Sequence, residues 1–478
     1  MDLNKNIIPD NAKKIHLIAI CGTGMGALAC MLSDMGLEVT GSDHKIYPPM
    51  SSFLSKRDIK IADGFDEKNI SYGPDLIVVG NAVRRDNPEV VKMHKMGLNF
   101  CSMPQAINRF VAGEKKPILV TGTHGKTTTS SILAWILYEA GRYEAKLDPS
   151  FVIGGILKNF NSNYRLGKGE FVIIEGDEYD TAFFDKRSKF LHYDPFMAVL
   201  TSVEFDHADI FKDIDHVKET FNTFISGISQ NSRLIAYDGD KNVAGLIGDR
   251  KCSVETYGRD RNSPWRLGDV SIDPPWTLFE VLKHGKTFGI FKTRLVGEHN
   301  LLNTLAVIAI ADILMIPTEV IAKALETFQG IKRRQEIRGQ KRGITVIDDF
   351  AHHPAAVRET IRAVKSFWQE RRLIAVFEPR TNSSMRKVFQ EIYPLSFDPA
   401  DLICIRKPPL LDKIPAAERF SSEQLVDDLK DRGKNAHYFP DTLSIIDFLV
   451  KEAMSGDLIL IMSNGGFDNI HERLLKCL

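Results

Sequence analysis

"PILVTGTHGKTTTSSIL", residues 117–133, decides the fold class, because three kinds of local structure follow one another in it without a break. Pro117 to Val120 is an apolar run of strand type, Gly122 and Gly125 bound a tight loop, and Lys126 opens a segment read as a helix. Strand, glycine loop and helix is an order in which chains commonly hold a nucleotide's phosphates, since loop N–H groups and the helix amino terminus face phosphate oxygens. Lys126 is then placed to reach the outer phosphates, and Thr127 to offer its hydroxyl to magnesium. A glycine turn with a surface lysine is the plainer alternative. Gly122 stands only three residues before Gly125, so the loop is a shorter relative of the GxxxxGK[ST] pattern.

The surrounding chain is ordinary in composition. It has 478 residues, 43% hydrophobic and 26% charged, enough for about three domains at ~150 residues each. Lysine plus arginine equals aspartate plus glutamate at 62 each, so no global field favours nucleic acid or an anionic membrane, and neither partner is expected. The six cysteines are scattered without a CxxC pair, which suits a reduced, cytoplasmic setting. Lys13 and Lys14 precede a charge-free run, but its glycines fall at dinucleotide-loop spacing, which disfavours a targeting leader. Elsewhere no apolar stretch approaches the ~20 residues of a membrane span, so membrane insertion is not expected.

Three blocks of strand and helix alternation predict three open α/β units in series, divided as 1–115, 116–331 and 332–478. The first begins with a strand from Ile15 to Ile20, a glycine turn, a helix to Met35 and a strand from Leu37 to Thr40 leading to Asp43. "CGTGMGALA" there matches GxGxxA at Gly22, Gly24 and Ala27, with Asp43 twenty-one residues after Gly22. Alone, this suggests an NAD-dependent oxidoreductase; any nucleotide diphosphate can use the same helix terminus and acidic residue. A second phosphate loop at Lys126 weighs against the dehydrogenase, which has no need of an ATP site.

In the second block, Glu175 and Asp177 follow the apolar strand of "FVIIEGDEYD", and Glu204, Asp206 and His207 follow that of "FMAVLTSVEFDHAD". Carboxylates and an imidazole at adjacent strand ends suit a Mg-ATP site, since the hard cation takes oxygen ligands; solvated acidic loops are the alternative. Tyr237 to about Lys292 reads as polar and turn-rich, before the helical "GEHNLLNTLAVIAIADIL". The third block repeats the alternation, with "FEPRTNSSM" after a strand from Leu373 to Phe377.

Taken in order, "GTHGKTTT", "EGDE", "FDHAD", "GEHNLLN", "KRRQE" and "DDFAHHP" resemble the Mur ligase family over essentially the whole chain. The resemblance implies a Rossmann-like first domain, a P-loop ATPase as the second and a Rossmann-like third. It also implies ATP and Mg2+ as cofactors, and an amide bond made through an acyl phosphate on a carboxylate. Within the family the chain looks most like the branch acting on UDP-N-acetylmuramate. "FEPRTNSSM" and "VVGNAVRRDNP" favour addition of the peptidoglycan-recycling tripeptide L-alanyl-γ-D-glutamyl-meso-diaminopimelate over addition of L-alanine. By the same likeness, Gly122, Thr123, His124, Gly125, Lys126, Thr127 and Thr128 hold ATP phosphates, Asn300 and Asn303 the adenine, and Arg334 and Asp349 the phosphates and ribose. Thr127 and Glu175 are the implied metal ligands of one magnesium ion and His207 that of a second. Lys126, Glu175, His207 and His352 are the implied catalytic set, with His353 a packed neighbour. Gly22, Thr23, Gly24, Met25, Gly26, Ala27, Asp43 and Asn81 would hold the UDP-sugar, and Arg380 and Asn382 the peptide. Some relatives carry a carbamylated lysine where this chain has Asn222, so unmodified side chains are expected at the metal. The oligomeric state is not indicated.

Overall fold

The computed structural model describes residues 2–44, 46–208, 210–248 and 250–478. Among the described residues three large sheets follow one another along the chain, and a two-stranded antiparallel pair, Asp180–Ala182 with Asp185–Ser188, stands apart from them. The first has five parallel strands, in spatial order Lys60–Asp63, Glu38–Asp43, Lys14–Ile18, Leu76–Val79 and Phe100–Ser102. Ile15, Leu17, Ile18 and Leu76 to Val79 are all fully buried, the pattern of parallel strands covered on both faces. The strand order reverses beside Lys14–Ile18, so the loop after that strand opens at the switch point where such sheets bind ligands. This strand stops two residues short of the expected Ile20. Ala19 turns left-handed at φ 64°, and the N–H groups of Ala19 and Ile20 both donate to Ser42 O. The next strand instead runs past Thr40 and includes Asp43.

The second sheet has ten strands, with Lys116–Thr121 inside it between Met197–Leu200 and Phe171–Gly176, parallel to both. Thr121 is in register with Gly176 on one side and Leu200 on the other. Three strand ends thus open side by side, and the loops that follow them converge on one place. Helix Lys126–Gly141 is buried almost all round, packed against the sheet and against helices Glu298–Ile313 and Thr318–Thr327. Trp135 fixes one of these contacts by donating its indole N–H to Ala324 O at 3.0 Å.

The polar stretch before Lys292 is not turn-rich but largely sheet. Ser253–Gly258 extends the parallel ladder, and Trp265–Asp273, Trp276–Lys283 and Lys286–Thr293 form an antiparallel meander. Only one face of this meander is covered: Leu267, Phe279, Val281 and Phe291 are buried while the alternate residues meet solvent. A half-buried strand carries half the apolar residues of a buried one, which is why its sequence reads as polar.

The third sheet has six strands, with Glu336–Lys341 antiparallel on its edge and the other five parallel. Asp349, Met462 and Phe377 share a register level, so residues after 349, 377 and 462 also emerge together. No helix among the described residues is long and apolar enough to cross a membrane.

Candidate active site

The phosphate loop keeps its shape because glycine alone fits at two points. Gly122 has φ +125°, and a Cβ there would lie 2.1 Å from Thr201 Oγ1. Gly125 has φ +83°, and its Cβ would lie 2.5 Å from Asn303 Oδ1. Both left-handed conformations are strained for any L side chain. Ser202 closes the loop from the neighbouring strand end, accepting the His124 N–H on its Oγ at 2.9 Å.

Lys126 does not stand free at the surface. Its Nζ donates to Gly122 O at 2.6 Å and to Glu178 Oε2 at 2.8 Å, with Lys126 9% and Glu178 2% exposed. Burial opposes the ammonium charge, but Glu178, Asp177 and Glu175 outweigh it and hold the lysine above its ordinary value. The same carboxylate faces His207, whose Nε2 lies 3.5 Å from Glu178 Oε1. Burial pushes Glu178 up, yet Lys126 and His207 more than offset it and keep the carboxyl ionised. Glu178 is the residue that sequence reasoning missed. It directly follows Asp177 in "EGDE", and only the loop's path shows which of those carboxylates turns to the lysine.

Thr127 and Glu175 meet, as the family resemblance implied. Thr127 Oγ1 donates to Glu175 Oε1 at 2.8 Å, and Gly154 N–H donates to Glu175 Oε2 at 2.7 Å. Gly154 permits this approach, since a Cβ there would lie 3.0 Å from the carboxylate. Burial and then Asp177 push Glu175 up, which a divalent cation beside it would reverse. A hydroxyl and a carboxylate are oxygen donors of the kind magnesium takes, so these residues fit the ion. His207 reaches the group through Glu178, whereas Asn222 is exposed on helix Ile214–Gly227, accepting from Arg250 at 2.8 Å.

The groups expected to meet the nucleotide from the far side lie close by. Asn300 and Asn303 are buried in the first turns of helix Glu298–Ile313, and Asn300 Nδ2 donates to Val296 O at 2.8 Å. Arg334 stacks over Phe350 at 4.8 Å, its Nη2 3.5 Å from Thr127 Oγ1. Asp349 accepts from Gln335 N–H at 2.8 Å and Ala351 N–H at 2.7 Å, so it also ties the connecting segment to the third sheet. His352 Nδ1 bonds Phe350 O at 2.9 Å. His353 is 6% exposed, caps helix Pro354–Phe367 and reaches Phe205 O at 3.1 Å. Ser383 Oγ accepts the Ala208 N–H at 3.1 Å, a second tie to the same loop.

The first glycine loop is shaped by Asp43, whose Oδ2 accepts the Cys21 N–H at 2.9 Å. Gly24 and Gly26 lie under Met103 and Met50, whose atoms would be 2.9 and 2.7 Å from added Cβ atoms. Thr23, Met25 and Ala27 begin the helix, and Asn163 of the second sheet donates to Thr23 O at 3.1 Å. Asn81 is exposed on the loop after Leu76–Val79.

In the third unit, Arg380 Nη1 lies 3.5 Å from Oε1 of Glu378, a carboxylate with no exposed surface. Arg406 and Ser463 also donate to Glu378. Gly465 admits Arg380, because a Cβ there would lie 2.2 Å from Arg380 Cδ. Asn382 is exposed, but Ser383 and Ser384 are buried and do not line an open groove. Ser384 Oγ accepts the N–H groups of Arg380 and Thr381, each at 2.9 Å, and so holds the loop.

Comparison with known proteins bears on the whole chain. The Mur ligase catalytic-domain family matches residues 14–115, the Mur ligase middle domain 120–311, and the Mur ligase glutamate ligase domain 333–465. The UDP-N-acetylmuramate–L-alanyl-gamma-D-glutamyl-meso-2,6-diaminoheptandioate ligase of Escherichia coli K12 is 39% identical, over 97% of both chains. A murein peptide ligase of Psychrobacter arcticus superimposes with a TM-score of 0.72 at 33% identity, covering 97% of this chain and 98% of that one. The UDP-N-acetylmuramate-alanine ligase of Thermotoga maritima gives 0.79 at 26%, with the same coverage. With three domain families matched in order and full-length identity well above what the fold alone would give, the chain belongs to the Mur ligase family.

Proposed function

We propose that the chain joins L-alanyl-γ-D-glutamyl-meso-diaminopimelate to UDP-N-acetylmuramate, as part of peptidoglycan recycling in the cytoplasm. As a Mur ligase it is an enzyme that forms an amide bond at the expense of ATP. The observation that carries the chemistry is the meeting of Thr127 and Glu175 beside the buried Lys126 at the end of the phosphate loop. In this reading 1–115 holds the UDP-sugar through Gly22 to Ala27, Asp43 and Asn81, 116–331 holds ATP, and 332–478 receives the peptide through Arg380 and Asn382.

The central difficulty is charge, because a carboxylate must approach a triphosphate. Lys126, on leaving Glu178 for the β and γ phosphates, lowers that repulsion where it is greatest. Magnesium, held by Thr127 and Glu175 with His207 nearby, would supply further neutralisation of phosphate charge. Transfer of the γ-phosphoryl group to the lactoyl carboxylate makes an acyl phosphate, and the peptide's free amine displaces phosphate to form the amide. Arg334 and His352 stand where they can meet phosphate oxygens from the third unit, and Asn300 and Asn303 can meet the adenine.

L-Alanine is the second acceptor to consider, favoured by the higher TM-score to the alanine ligase. Backbone superposition follows a fold that all members share, whereas the acceptor is chosen by side chains, so identity weighs more here. ADP release with UDP-N-acetylmuramate tests the choice. Turnover with tripeptide should far exceed that with L-alanine, and the reverse would move the chain to the alanine ligase.

A further inference from the structure

His124, Glu204 and His353 come from three separate loops, and nothing in the ligase chemistry above uses them together. His124 belongs to the phosphate loop and Glu204 to the loop after Met197–Leu200, while His353 begins the first long helix of the third unit. His124 Nε2 lies 3.4 Å from Glu204 Oε2, and His353 Nδ1 lies 3.7 Å from that same oxygen. One ligand atom from each residue lies within 4.8 Å of the other two. A tetrahedral zinc with ligands at about 2.0–2.2 Å sets its donors roughly 3.3 Å apart, so two of these separations already fit.

From this geometry we propose that His124, Glu204 and His353 form a site for a borderline transition cation of the zinc class, which clamps the third unit onto the phosphate loop. The donor set is two imidazoles and one carboxylate, with a fourth position left for water or a ligand oxygen. Imidazole suits zinc, cobalt and nickel, whereas magnesium prefers oxygen, so this site and the Thr127–Glu175 site select different ions. Two features prepare the imidazoles. His353 places its other nitrogen, Nε2, 3.1 Å from Phe205 O, the carbonyl contact that orients a metal-ligating histidine and fixes its tautomer. His124 Nε2 is buried and faces the Glu204 carboxylate at 3.4 Å without a well-aligned hydrogen bond to it. The Glu204 side chain is 39% exposed and leaves a path from solvent. Binding would displace the Ala355 N–H, which now meets His353 Nδ1 at 3.3 Å, a long bond to give up.

Cobalt(II) is the probe, added to the metal-free full chain in excess Mg2+ so that the oxygen site is occupied. One equivalent should give the visible bands of tetrahedral cobalt, which Zn2+ abolishes. Glu204→Gln and His353→Asn should each weaken binding by at least about tenfold, while His207→Asn leaves it unchanged. Saturating Zn2+ should also slow tryptic cleavage at the exposed Lys332 in the parent chain but not in His353→Asn. Absence of tetrahedral cobalt in the parent, its persistence in both variants, or its loss only in His207→Asn would overturn the site. Unchanged cleavage at Lys332 would overturn the clamp.

Discussion

Replacing Glu178 by glutamine removes one charge from a buried pair while keeping the shape. Glu178 Oε2 and Lys126 Nζ are 2.8 Å apart, and their attraction at an effective dielectric of about 20 is about 6 kcal/mol. Desolvation of two buried ions offsets part of this, and breaking such a pair by removing one partner costs about 3–5 kcal/mol. Lys126 retains the Gly122 and Thr123 carbonyls, at 2.6 and 3.3 Å, so the lower end applies, ~3 kcal/mol. A loss of that size is a large share of the ~5–15 kcal/mol typical of a domain but leaves it folded. The assay is urea unfolding followed by a probe in the middle domain, where the midpoint should fall with unchanged slope.

The pH dependence carries the sign. Glu178 is held below its ordinary value of 4.5, so its stabilisation is present above 4.5 and fades as pH falls through the lower folded value. Lys126 is held above its ordinary 10.5, so its share is intact below 10.5 and lost only as pH rises beyond the folded value. The gap between parent and Glu178→Gln should therefore be full near pH 7 and close in acid. Equal stability at pH 7, or a gap that widens in acid, would refute the pairing.

Three further outcomes are expected. Lys126→Ala should lower ADP formation by at least ~10²-fold. It should also destabilise the chain by stranding Glu178, and the double variant with Glu178→Gln should recover stability but not turnover; an unchanged rate would remove Lys126 from the mechanism. Glu175→Gln should raise the Mg2+ concentration for half-maximal activity by roughly tenfold or more, as expected for loss of a charged contact of ~1.5–3 kcal/mol, and an unshifted requirement would place the ion elsewhere. Arg380→Ala should raise KM for tripeptide by about tenfold while leaving KM for ATP and UDP-N-acetylmuramate in place, and equal rises for all three would assign Arg380 a structural role.

Local chemistry made much of this protein legible from its residues. The glycines at 122 and 125, the apolar strand before them and the carboxylate after "FVII" are short-range features, and the phosphate loop with its Thr127–Glu175 contact formed where they pointed. The strand Leu373–Phe377 and the α/β alternation were equally plain, since buried parallel strands announce themselves as unbroken apolar runs. The meander at residues 265–293 was not, because strands covered on one face carry only half that signal. The partner of Lys126 was hidden as well: Glu175, Asp177 and Glu178 are nearly equivalent as a string, and the loop path alone turns Glu178 inward. Lys126 itself, read as placed to reach the outer phosphates, proved buried and paired. The triad of His124, Glu204 and His353 lay furthest from view. Its members are 80 and 149 residues apart along the chain, and only the docking of one sheet's strand ends on another's brings their side chains within bonding reach of one ion. Residue type and local spacing thus determined which chemistry each loop could perform. Tertiary packing decided which loops perform it together, because distance through space between strand ends is set by sheet order and register, which no local pattern encodes.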